Sequence, residues 1–402
     1  MSEIRATGQS GKHFPELDGI RGLAIVGVLC SHGVGISGLF DASHNSLADK
    51  LLRYACVPLW GGVDLFFVLS GFLITGILLR SKTSENYFSS FYARRVLRIF
   101  PIYYLVLTLS LVMGHFSADF AAQLPAWASW KFAYFLYVQN WPIFWHGQKI
   151  MTGIWGPYWS LAVEEQFYFI WPLVVSLFPE KTIAWICYVG TACALPLRIF
   201  LSWRYFGINF GLAQITSSRV DGLFLGAACA IYMYRHRTHI PLRWIIASGS
   251  GGLMIMGYIA VFHHGELVGT KNWMTTLGIT GFALLSAALV AVSPYHLKVI
   301  DRVLNLRWLR AAGKYSYGMY VYHLFIFLPM SAVGKHLGLW DRLNFPERIL
   351  VLVSEMIAVF LIAKISYDVF ESRFLLLKKY FSPREGPSHP PAEMLNVAAT
   401  RS

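Results

Sequence analysis

The sequence predicts an all-α, polytopic integral membrane protein with about ten transmembrane helices, and three observations carry that expectation. Of 402 residues, 56% are hydrophobic and only 14% charged, against roughly 45–50% and 25% in soluble domains. The mean hydropathy is +0.50. The apolar residues fall in runs of roughly 20, the length a helix needs to cross a hydrocarbon core about 30 Å thick. The formal charge of +13 builds no basic domain with interleaved aromatics, which argues against nucleic acid as a partner; Lys and Arg sit between the apolar runs instead, where they set topology.

Taken in order, the runs give spans at 19–40, 59–80, 99–116, 158–178, 183–204, 217–234, 242–262, 273–293, 314–335 and 347–370. The stretch 130–141, WKFAYFLYVQNW, is too short to cross and, being rich in Trp and Tyr, is expected at an interface. Loops after even-numbered spans hold Arg80, Lys82, Arg94, Arg95 and Arg98, then Lys181, then Arg235, Arg237 and Arg243, then Lys298, Arg302, Arg307, Arg310 and Lys314. The alternate loops are sparser, with Lys50 and Arg53 offset by Asp41 and Asp49. Short cytoplasmic loops carry the positive excess, so both termini are expected in the cytoplasm and the protein in the cytoplasmic (inner) membrane. The organisation expected is a cytoplasmic segment 1–18, a transmembrane domain 19–370 and a cytoplasmic, disordered tail 371–402, whose end contains SPREGPSHPP and no long apolar run. The first run follows a polar leader without a small-residue cleavage site and reads as an uncleaved span. No internal repeat is visible.

Ionisable residues inside spans are the functional candidates, because a charge at mid-membrane costs about 2.5–3.5 kcal/mol on insertion scales unless it faces a partner or an aqueous cavity. The first span, LDGIRGLAIVGVLCSH, carries Arg21 near its inner end and His32 deep inside. Eleven residues put them roughly 16 Å apart near one helix face, so one can hold a substrate while the other does chemistry. Asp64 in GVDLFFVLSGFLIT and Glu164 and Glu165 in WSLAVEEQFYFIWP enter their spans from the outside and share the depth of His32. An imidazole with a neighbouring carboxylate is an arrangement for general base work. Adjacent in sequence, Glu164 and Glu165 are not expected to face one site together, and Glu164 is the one assigned. At the inner surface, Arg94, Arg95 and Arg98 precede the third span. Guanidinium groups bind phosphate bidentately, so with Arg21 they suit a phosphorylated ligand.

Together these segments resemble the acyltransferase 3 family of integral membrane acyltransferases. The resemblance rests on DGIRGLAIVGVLCSH, GVDLFFVLSGFLIT, the Arg-x-x-Arg of RRVLRIFPIYY, WSLAVEEQFYFIWP and SYGMYVYHL, in order from about residue 14 to 330. It implies ten spans, His32 as the essential catalytic histidine with Arg21 as its companion, Arg95 and Arg98 engaging an acyl-coenzyme A donor, and Glu164 as the carboxylate of the fourth-span motif. It also implies acyl transfer, often of acetyl, to hydroxyls of polysaccharide, lipopolysaccharide, peptidoglycan or related acceptors. No tightly bound cofactor is expected, acetyl-coenzyme A being a co-substrate. An esterase-like domain found after the spans in some members is not expected in this chain. The mechanism expected from this resemblance joined to the depths of the polar residues docks coenzyme A phosphates on the inner arginines and extends the thioester toward His32 through a polar tunnel lined by spans one to four. His32 then acts as general base on an acceptor hydroxyl, with Glu164 or Asp64 setting its tautomer; an acyl-histidine intermediate is the variant left open.

Plainer readings compete at each position. His32 can simply hydrogen-bond a neighbouring helix, Arg95 and Arg98 can enforce orientation, and Asp64 can partner a helix dipole. His323 in SYGMYVYHL reads as a satisfied packing residue, and His263 and His264 as solvated loop residues, with no metal site expected. The five cysteines, Cys30, Cys56, Cys187, Cys193 and Cys229, lack metal-ligand spacing and read as free thiols. A proton-coupled transporter or exporter would use the same buried residues, but no inverted halves or discontinuous spans are visible. Acceptor identity, acyl length and oligomeric state lie beyond what the residues decide.

Overall fold

The computed structural model describes residues 15–36, 38–40, 46–121, 124, 131–146, 153–205, 209–263, 267 and 271–384. The tail expected to be disordered lies, from 385 onward, outside the described residues, as does His264. In lipid every backbone N–H and C=O must be satisfied within the chain, which leaves the helix as the element of choice for apolar runs. Ten long helices form among the described residues: α1 (Pro15–Gly35), α2 (Gly62–Ser81), α3 (Tyr87–Phe116), α4 (Trp159–Leu177), α5 (Glu180–Arg204), α6 (Val220–His236), α7 (Leu242–Phe262), α8 (Ile279–Val292), α9 (Arg307–His336) and α10 (Phe345–Ser366). No strand occurs among those residues. The expected interfacial stretch forms only the short helices Lys131–Phe135 and Asn140–His146. Helical structure runs on from α10 through Tyr367–Phe381, past the boundary expected at 370.

Among the described residues, seven helices are long and apolar enough to cross a membrane by length and composition. The protein is therefore polytopic, and by that measure seven of the ten long helices among the described residues qualify. The three that fall short are α4, α6 and α9. Each has a physical reason: α4 carries Glu164, Glu165 and Gln166, α6 has 17 residues, and α9 is rich in Tyr, Lys and His. Two of these, α4 and α9, wall the cleft described below, so their polarity is spent inside the bundle.

Helix pairs meet at glycine. A Cβ on Gly313 of α9 would lie 1.8 Å from the carbonyl oxygen of Asp18 in α1, and one on Gly22 would lie 2.0 Å from that of Leu309. Small residues let backbones approach this closely where the lipid supplies no hydrophobic drive for association. Contacts advance together along α1 and α9, from Gly22 with Leu309 to His32 with His323, so the two helices run parallel. The same holds for α2 and α6, where a Cβ on Gly222 would approach the Asp64 carbonyl and one on Gly226 that of Val68. At the start of α10, Asn344 and Glu347 form a reciprocal capping box at 3.0 and 2.8 Å, and Arg348 one residue on pairs with Asp49. The core around Tyr103, Trp155, Tyr158, Met319 and Phe327 joins α1 to α4, α9 and α10 in one cluster.

Candidate active site

The parallel packing of α1 on α9 brings two histidines, 291 residues apart in sequence, into contact inside the bundle. His32 Nδ1 lies 2.8 Å from His323 Nε2, with the ring centroids 5.0 Å apart and 18° between planes. The other ring nitrogen of His323, Nδ1, lies 2.7 Å from the carbonyl oxygen of Tyr320. A carbonyl only accepts, so His323 Nδ1 carries the proton and donates. His323 Nε2 is then the acceptor, and His32 Nδ1 must donate to it. The lone pair of His32 is thereby placed on Nε2, the form a general base requires.

This corrects the expected orienting group. Neither Glu164 nor Asp64 sets the tautomer of His32; the fully buried His323 does, through one turn of its own helix. Reading His323 as a satisfied packing residue caught its satisfaction and missed the identity of its partner. The signal was the pairing of two lone intramembrane histidines on odd-numbered spans, which alternate crossing makes parallel.

The two carboxylates have other partners. Glu164 Oε1 accepts from Ser70 of α2 at 2.7 Å, and Ser70 accepts in turn from Tyr168 at 3.0 Å. Glu164 and Glu165 both border the same cleft, contrary to the expectation that only one would. Adjacent helical positions differ by about 100°, which a wide cleft accommodates. Asp64 lies 3.1 Å from Arg219 Nη1, both buried, and the Arg219 guanidinium sits 5.1–5.8 Å from the ring centres of Trp159, Phe67 and Trp60. Beside them Arg198 donates to Asp221 at 2.7 Å, to the Ser218 carbonyl at 2.5 Å and to the Thr276 carbonyl at 3.2 Å. Sequence reasoning missed both arginines although they fall inside the spans expected at 183–204 and 217–234.

Arg95 projects into the bundle over the rings of Tyr168 (5.3 Å) and Phe91 (5.8 Å). Together with Arg21, Arg98, Glu164, Glu165 and Tyr317 it lines a cleft of about 840 Å³. Helices α1 to α4 wall this cleft as expected, and so does α9, through Ser316, Tyr317 and Tyr320. Tyr320 also lines it, its hydroxyl donating to the Pro157 carbonyl at 2.8 Å and lying 2.6 Å from Ser160 Oγ. His323 is bonded to the Tyr320 carbonyl, and neither His32 nor His323 is among the lining residues. A second cleft of about 1420 Å³ shares Arg21, Arg98 and Tyr317 with the first. Arg21 donates to Asp18 at 2.9 Å at this junction.

A family model described as an acyltransferase domain, that of acyltransferase 3, matches residues 14–364. The chain belongs to the acyltransferase 3 family. Among curated acyltransferase 3 relatives, a peptidoglycan O-acetyltransferase, OatA, of Listeria monocytogenes is 25% identical over 92% of this chain and 57% of its own length. The O-acetyltransferase OatA of Staphylococcus aureus strain NCTC 8325 is 26% identical over 90% and 57%, and the putative peptidoglycan O-acetyltransferase YrhL of Bacillus subtilis is 25% identical over 90% and 55%. The chain thus spans a little over half the length of the curated relatives it matches. No solved structure matches it.

For an acyltransferase 3 protein with this histidine geometry, His323→Phe should cut turnover about 10- to 100-fold, the usual cost of losing a group that orients an active one. His323→Gln, whose amide oxygen can accept from His32 Nδ1, should retain more activity than His323→Phe. Turnover of the two variants at saturating substrate, normalised to folded protein, checks this; equal loss in both would leave His323 a packing residue.

Proposed function

We propose that this protein is a membrane O-acetyltransferase that takes an acyl group, acetyl in the first instance, from cytoplasmic acyl-coenzyme A and transfers it to a hydroxyl of a cell-envelope carbohydrate. The observation that carries the reading is the fixed tautomer of the histidine pair, which leaves His32 Nε2 as a base, with a cleft lined by Arg21, Arg95 and Arg98 on its inner side. That two of the relatives are a peptidoglycan O-acetyltransferase and a putative one favours a peptidoglycan hydroxyl as acceptor. The distribution of Lys and Arg between spans supports cytoplasmic termini in the inner membrane.

In this reaction His32 Nε2 takes the proton of the acceptor hydroxyl as its oxygen attacks the thioester carbonyl. The tetrahedral adduct collapses, the C–S bond breaks, and the imidazolium returns its proton to the departing thiolate. His323 supports the imidazolium, since its accepting Nε2 faces the proton on His32 Nδ1 throughout. Arginines supply bidentate contacts to phosphate, and Arg98 stands at the junction of both clefts, where a pyrophosphate would pass. His32 does not line the cleft, so the cleft must open toward it for the thioester to reach its Nε2.

Purified protein supplied with acetyl-coenzyme A and cell-envelope glycans should release free coenzyme A in step with acetyl ester formation. Arg98→Ala should raise KM for the donor about 10- to 100-fold, the value of one or two hydrogen bonds to charge, with kcat changed far less. Substrate accumulation driven by a proton gradient without thioester consumption would overturn the reading in favour of a transporter.

A further inference from the structure

The wider cleft holds more positive charge than the inner arginines account for. Beyond Arg21 and Arg98 at its throat, it is walled by Arg307, Arg310 and Lys314 from the start of α9 and by Lys378 from the helical segment after α10. The carboxylates on the same walls are Asp18 and Glu371. Asp18 accepts from Arg21 at 2.9 Å, and Glu371 accepts from Ser366 at 3.4 Å. Arg310 Nε is buried with no hydrogen-bond partner among the described residues. Lys314 is held over Tyr315 and Tyr367, 5.0 Å from each ring centre. The segment bearing Lys378 is tied to the start of α3, where Asn86 donates to the Ser382 carbonyl at 2.9 Å and accepts from the Arg384 backbone N–H at 2.8 Å. Four like charges lining one cleft repel each other, and a buried donor without a partner is unfavourable. An anion with several oxygens offsets both, and phosphate has the geometry and charge to do so.

We infer that Arg307, Arg310, Lys314 and Lys378 form a phosphate subsite separate from the Arg21–Arg98 throat, and that it takes the ribose 3′-phosphate of coenzyme A. The inference rests on acyl-coenzyme A being the donor. The thioester arm enters the narrower cleft, which sets the pyrophosphate at the throat. One charged group of coenzyme A then remains, the 3′-phosphate, and it stays in the wider space where these four residues stand. The protein is on this account selective for a 3′-phosphorylated donor.

The test compares acetyl-coenzyme A with its 3′-dephospho analogue, by direct binding and by KM, in nanodiscs of uncharged lipid. Wild type should bind the dephospho form at least tenfold more weakly, with kcat unchanged. Arg310→Ala and Lys378→Ala should lose affinity for acetyl-coenzyme A down to the dephospho value and lose little for the dephospho form, while Lys378→Arg keeps the preference. A wild-type ratio near one, or variants that weaken both ligands equally, would overturn the subsite and leave the donor assignment standing. Binding of neither thioester by folded wild type would overturn both. Suppression of acetyl-coenzyme A binding by added anionic lipid in wild type, absent from the variants, would reassign the four residues to a lipid headgroup and overturn the nucleotide reading.

Discussion

Replacing His32 by alanine is expected to lower acyl transfer by about two to four orders of magnitude, the range attributed to a positioned general base, while leaving the protein folded. Only His32 Nε2 of the pair is left as an acceptor, because His323 spends one nitrogen on the Tyr320 carbonyl and the other on His32. Removing His32 deletes the base and leaves His323 Nε2 without its donor. The remaining imidazole cannot take over, since its free nitrogen stays where α9 holds it. Coenzyme A release and ester formation, measured on protein whose thermal unfolding matches wild type, check the prediction. Activity within threefold of wild type in His32→Ala would remove His32 from the chemistry and return it to helix packing.

The second large effect is on stability. Asp64→Ala should destabilise the fold by about 3–5 kcal/mol, the cost of leaving one partner of a buried ion pair uncompensated. Arg219 is buried with its charge paired at 3.1 Å by Asp64, and the surrounding Trp60, Phe67 and Trp159 rings take only part of the load. Apolar residues of similar volume replace such pairs at little net cost, so Asp64→Ala combined with Arg219→Met should recover most of the loss. Unfolding midpoints of the single and double variants form the cycle that isolates the pair. The double variant also tells the two roles of Asp64 apart. Activity per folded molecule near wild type makes Asp64 a support for α2 and α6, whereas a folded but inactive double variant restores it to the chemistry expected from its depth beside His32.

Much of the membrane architecture was legible in the residues. Runs of apolar side chains locate α1, α2, α3, α5, α7, α8 and α10, because crossing lipid demands length and hydropathy that any window can read. The same criterion undervalues α4, α6 and α9, since burial inside the bundle lets a helix be short or polar. Candidate residues were found by the cost of placing charge in a membrane, and His32, Arg21, Arg95, Arg98 and Glu164 do lie in or beside one interior region. Their partners were not found that way. Ser70 for Glu164 and Arg219 for Asp64 each come from another helix, at a separation no local pattern spans.

Hydropathy, charge bias and motif spacing act along one helix at a time, and by themselves they determined the helical, polytopic class and the residue types available for chemistry. Which helix faces which was decided by Gly22, Gly313, Gly222 and Gly226, whose missing side chains let α1 meet α9 and α2 meet α6 at backbone contact. That choice put His323, and no carboxylate, on His32 Nδ1, and so fixed which nitrogen is free to act. A hydrogen bond across 291 residues exists only after packing sets depth and rotation of two helices together, and those are tertiary quantities.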